Sequence, residues 1–141
     1  MNVGLKFDIP PEDDSYLKIR ISAWNGSFGG DAAIYVDTER LKETASELRG
    51  FPASVSDVRE LSFGGFGPRC AGGAASLRFY CIDGSGHARL DAKIESDYDR
   101  AGKAESVTMT LSIEPAALDR FVQALDKLDP KEGAQVFLEG K

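Results

Sequence analysis

The chain has 141 residues, a formal net charge of −6, and 42% hydrophobic against 28% charged residues. That length suits one domain whose core is large enough to fold without disulfide or metal staples. The balance excludes a collagen, a coiled coil, a disulfide-dense toxin and a disordered acidic tail.

The first predicted strand covers about residues 2–8. Strict alternation follows over 16–24: Leu17, Ile19, Ile21 and Ala23 take one face, and Lys18, Arg20, Ser22 and Trp24 the other. Asn25-Gly26 offers the φ > 0 pair of a tight hairpin. The return strand runs from about Phe28 to Val36, with Ala32, Ile34 and Val36 in step and Gly29-Gly30 read as a bulge or bend. A helix comes next, with Asp37 at its N-cap, Glu39 in the first turn and Gly50 at C′. Leu41, Thr44, Ala45, Leu48 and Phe51 trace one face, and Pro52 prevents continuation.

A strand over about 57–63 opens the second half. Residues 74–82 alternate Ala75, Leu77, Phe79 and Cys81 against Ser76, Arg78, Tyr80 and Ile82. Asp83-Gly84-Ser85-Gly86 is a hairpin turn. Ala88, Leu90, Ala92 and Ile94 mark the next strand, and Val107, Met109, Leu111 and Ile113 a third. Glu114-Pro115 starts a helix, because proline at the first helical position forgoes only an N–H that had no partner. Leu118, Phe121, Val122, Leu125 and Leu128 form its buried face, Pro130 ends it, and Ala134–Leu138 offers a short edge strand.

Shifting the first helix by 77 positions superimposes Leu41 on Leu118, Ala45 on Val122 and Leu48 on Leu125. The pattern reads as two strand–hairpin–helix units, roughly 1–52 and 57–130, within a single α+β domain. One large or two packed antiparallel sheets carry two amphipathic helices on one face and leave the other face wet.

Residues 1–70 hold 8 Lys/Arg against 11 Asp/Glu, and 71–141 hold 9 against 12. Neither half is basic and the pI is near 4.8, which argues against nucleic-acid binding. The start lacks a basic region followed by an apolar stretch, and no run approaches a membrane span, so a cytoplasmic protein with reduced Cys70 and Cys81 is expected.

Residues for chemistry are few. The one histidine, His87, follows the Asp83–Gly86 turn, and no G-x-S-x-G elbow accompanies it. Three Cys and His residues in all, set far apart, do not suit zinc. No metal, cofactor or catalytic residue is expected. The glycine-rich run Phe63–Gly73 matches neither a P-loop nor a dinucleotide fingerprint. It is either a mobile connection between the units or a binding loop anchored by Phe66 and Arg69. Glu12-Asp13-Asp14 and Asp97-Tyr98-Asp99 read as solvated turns. Lys18, Arg20, Trp24, Tyr35, Arg78, Tyr80, His87, Arg89 and Lys93 all lie on outward registers. If their strands are adjacent, they form a basic-aromatic patch suited to an acidic protein partner or to a second copy of the chain.

The combination of Phe28-Gly29-Gly30, Tyr35-Val36-Asp37, Leu41 with Leu48, Gly50-Phe51-Pro52, Arg78, Asp83-Gly84-Ser85-Gly86-His87 and Glu114-Pro115-Ala116-Ala117-Leu118 through Phe121 and Leu125 resembles a family of small uncharacterised bacterial proteins. Hairpin–helix proteins of this kind are similar to immunity partners of bacterial polymorphic toxins. The resemblance implies a non-catalytic protein-binding module and brings no catalytic set. The candidate binding residues are Trp24, Tyr35, Phe66, Arg69, Arg78, Tyr80, His87 and Arg89. A homodimer burying the patch is a further reading. The alternative is a small-ligand binder or atypical enzyme using the 63–73 loop and the His87 turn.

Overall fold

The computed structural model describes residues 2–11 and 17–141. The acidic run Glu12-Asp13-Asp14 and Tyr16 lie outside the described residues. Among the described residues eight strands and two helices follow in the order β1 (Gly4–Asp8), β2 (Leu17–Trp24), β3 (Gly29–Val36), α1 (Arg40–Leu48), β4 (Val58–Phe63), β5 (Ala74–Cys81), β6 (Ala88–Glu95), β7 (Ser106–Ile113), α2 (Pro115–Lys127) and β8 (Gln135–Glu139). They form an α+β fold with two antiparallel four-stranded sheets, ordered β3-β2-β1-β8 and β4-β5-β6-β7. Alternation sets the inner faces: Ile19, Ile21 and Ala23, then Leu77 and Phe79, then Leu90, Ala92 and Ile94 are all buried. The tail strand pairs with β1 and edges the first sheet.

Local details depart from the sequence pattern in three places. In the β2–β3 hairpin Trp24 pairs with Gly29, and Asn25 N–H donates to the Phe28 carbonyl, so Gly26-Ser27 is the tip. Only Gly26 has positive φ; Asn25 instead uses its side-chain oxygen to accept from Ser27 and Phe28 N–H groups. Glycine at the first central position is the type II′ preference. Gly29-Gly30 makes no bulge, since the register runs unbroken. The two glycines give room: a Cβ on Gly29 would meet the Trp24 ring at 2.6 Å, and one on Gly30 would meet Val107 at 3.0 Å. Asp37 is not the N-cap of α1. Its carbonyl accepts from Arg40 N–H in a preceding turn, and Glu39 occupies the cap without a side-chain hydrogen bond. Gly50, at φ +77°, does follow the C-cap.

The sheets meet at β3, which lies against all four strands of the second sheet. Away from that junction, α1 and α2 pack on each other, α1 along β4 and α2 along β8. Phe7 of β1 joins the layers. Its ring stands edge-on to Phe63 of β4 at 5.5 Å and to Phe121 of α2 at 5.4 Å between centroids. Phe51, just beyond α1, meets Phe79 of β5 at 6.2 Å. Arg59 holds the α1–β4 connection. It donates to both Asp57 oxygens at 3.0 and 2.8 Å, and to the Glu47 and Arg49 carbonyls at the C-terminal end of α1.

Two outcomes follow from this packing. Phe7→Ala opens a cavity where three layers meet and lowers unfolding free energy by about 3–5 kcal/mol in urea denaturation. The Arg59 hydrogen bond, then the Ala53 N–H, hold the Asp57 carboxyl below the ordinary range. A lowered folded-state value means the pair stabilises the fold above the unfolded value of about 4 and loses that effect as pH falls through the folded value. The stability gap between wild type and Asp57→Asn is therefore present at neutral pH and closes under acid.

Candidate interaction surface

Inward placement of Leu77, Phe79, Leu90 and Ala92 forces Arg78, Tyr80, Arg89, Asp91 and Lys93 onto the outer face of the second sheet. The β5–β6 register pairs Tyr80 with Arg89 and Arg78 with Asp91, and β4 sets Glu60 against Arg78. The side chains use that register. Arg78 Nε lies 3.4 Å from Glu60 Oε1, and its guanidinium sits 4.7 Å from the centre of the Tyr80 ring. The Tyr80 hydroxyl donates to Asp91 Oδ1 at 2.9 Å, and the Thr110 hydroxyl donates to the same oxygen at 3.0 Å. Burial, then the Asp91 carboxylate, raise the Tyr80 phenol above its ordinary value.

The 64–73 segment joins β4 to β5 within the second sheet and does not link the two units. It folds onto the same outer face. Lys93 Nζ sits 4.7 Å from the centre of the Phe66 ring, and Gly67 N–H donates to Glu95 Oε1 at 3.1 Å. Its ends are pinned: Gly64 takes φ +67° with no room for a Cβ beside the Gly73 carbonyl, and Gly73 N–H donates to the Ala33 carbonyl of β3. Arg69 is exposed on this loop and makes no ion pair with a described residue.

The anticipated patch is thus divided. Phe66, Arg78, Tyr80 and Arg89 share the outer face of the second sheet with Lys93. Trp24 and Tyr35 lie on the outer face of the first sheet with Lys18 and Arg20, because β2 and β3 are not hydrogen-bonded neighbours of β5 or β6. There Lys18 Nζ lies 4.8 Å from the Tyr35 ring centre, and Arg20 grips Asp8 through two hydrogen bonds at 2.7 and 3.2 Å. His87 stands on neither face. It is exposed at the β5–β6 turn, with Nδ1 2.7 Å from Asp83 Oδ2. The His87 side chain, then the Ser85 N–H, lower the Asp83 carboxyl, so the contact belongs to the turn's own hydrogen bonding. The 64–73 loop and the His87 turn sit at opposite ends of β5, about 23 Å apart at strand rise, so they do not make one site.

Asp91, Glu60 and Thr110 are members of the network that a pattern of cations and aromatics does not single out. The signal was present: counting back from the Asp83–Gly86 turn pairs Cys81 with Ala88 and so Arg78 with Asp91. Among the described residues no group of three or more His, Cys, Asp or Glu is placed to hold a metal, and no helix is long and apolar enough to cross a membrane. Cys70 and Cys81 are free thiols.

In an alkaline absorbance titration, Asp91→Asn brings the late-ionising Tyr80 phenol down toward the ordinary value near 10.

No family model, curated protein or solved structure matches the chain.

Proposed function

We propose that this chain is a non-catalytic protein-binding module of the toxin-immunity type, acting in the cytoplasm through the outer face of the second sheet. The observation that carries the reading is the Glu60–Arg78–Tyr80–Asp91–Thr110 network. Arginine and tyrosine dominate binding energy at interfaces, and both are held here before any partner arrives. Fixing those side chains in advance removes ordering entropy that association would otherwise incur. The flanking Phe66, 37% exposed and resting on Lys93, extends the surface with an aromatic anchor. The net charge of −6 favours encounter with a basic partner, such as a nuclease domain, and makes the association rate fall with salt. We also take the two strand–hairpin–helix units as a pseudo-repeat. In each, an antiparallel meander leads into a helix, and β8 returns to give the first sheet its fourth strand.

The test is co-expression with each protein encoded beside the chain's own gene, scored for toxicity and its relief. Wild type protects the host and forms a complex in vitro. Arg78→Ala with Tyr80→Ala keeps the far-UV spectrum, loses protection and weakens binding by about 30-fold or more. A double variant that protects and binds as well as wild type, or a wild-type chain that does neither, overturns the reading.

A further inference from the structure

The outer face of the first sheet carries a separate feature. The register sets Lys6, Ser22 and Asp31 in one row across β1, β2 and β3. Ser22 points outward by alternation, yet it is only 6% exposed, and its hydroxyl has no hydrogen-bond partner among the described residues. Buried polar groups are nearly always paired, because leaving one unpaired incurs its full desolvation cost. Ser22 lines a cleft of about 330 Å³ bounded by Lys6, Arg20, Trp24 and Asp31.

Part of that cleft's wall is the Trp24 side chain. Trp24 Cε3 lies 2.6 Å from where a Cβ on Gly29 would stand, so the missing Cβ leaves room for the indole. Phe137 lies over Gly4 in the same way, where a Cβ would stand 2.5 Å from the ring. Glycine at both positions lets the rings close on the sheet, with Trp24 half-buried and Phe137 39% exposed.

The polar groups around the indole are mixed in sign. Asp8 neutralises Arg20, while Lys6 and Asp31 flank Ser22 with opposite charges and form no ion pair with a described residue. Such a site suits neither a phosphate nor a polycation. It suits a ligand whose groups both donate and accept. This trough has a neighbour across β3. A second cleft of about 280 Å³, lined by Ser96, Glu105 and Ser106, shares Gly29, Gly30 and Asp31 with the first.

We propose that this trough binds a neutral oligosaccharide, with one sugar ring stacked on Trp24 and its hydroxyls on Ser22, Lys6 and Asp31. A sugar ring presents an apolar C–H face to an aromatic plane and a rim of hydroxyls, each both donor and acceptor. A peptide fits less well. Lying across a sheet face, it meets side chains and leaves most of its own N–H and C=O groups unpaired. The site is independent of the protein-binding surface on the other sheet.

Trp24 is the only tryptophan, so intrinsic fluorescence reports this site directly. The probes are the hexasaccharides of cellulose, chitin, amylose and mannan, with a basic hexapeptide as control. At least one glycan gives a saturable change in emission. Ser22→Ala and the surface variant Asp31→Asn each weaken it about five- to tenfold, with the far-UV spectrum unchanged. No saturable response to any of the four glycans, equal affinity in both variants, or a response to the hexapeptide alone overturns the proposal.

Discussion

The edge-on packing of Phe7 against Phe63 and Phe121 holds the molecule together as one body. Phe7 belongs to the first sheet, Phe63 to the second and Phe121 to α2, so one side chain ties three layers. Aromatic pairs of this geometry contribute about 0.5–1.5 kcal/mol each beyond the area they bury. Their position matters more than that increment. A four-stranded sheet with an apolar inner face needs a cover, and here each sheet, with the helices, covers the other. The inner faces are fully used by this mutual burial, which leaves the outer faces free to carry recognition.

Those outer faces differ in character although the same alternation produces both. On the second sheet, charges and phenol are matched across strands and fixed by hydrogen bonds, which is the arrangement of a rigid protein-binding surface. On the first, one tight pair, Asp8–Arg20, sits beside Ser22, whose hydroxyl has no partner among the described residues, and beside rings that close over glycines. Unmatched polar groups in a concavity mark a place that a ligand completes.

The strands were legible because burial on one face favours period two, which β6, β7 and β8 follow throughout. Helix α2 was equally plain: Pro115 starts it and Leu118, Phe121, Val122 and Leu125 fill its buried face. What alternation does not carry is sheet membership. Nothing local says that β3 crosses the second sheet instead of hydrogen-bonding into it, so Trp24 and Tyr35 were grouped with Arg78 and Tyr80 although they lie on another face. Glycines misled for a related reason. Gly29-Gly30 looks like a backbone irregularity in a single strand, yet its cause is a neighbour's indole and a valine from the opposite sheet. Asp91 was overlooked because an acid in an acidic chain attracts no notice until the turn fixes its partner. His87 was conspicuous only by being the sole histidine, and it serves its own turn.

Native-state amide exchange followed across a denaturant series tests most directly whether one aromatic-centred core binds the sheets into a single cooperative unit. The slowest amides of β1 and β2 and those of β5 and β6 are predicted to open with the same free energy and the same denaturant dependence, both equal to global unfolding. If one sheet's slowest amides exchange through an opening of lower free energy and shallower denaturant dependence, the sheets do not share a core and the account fails.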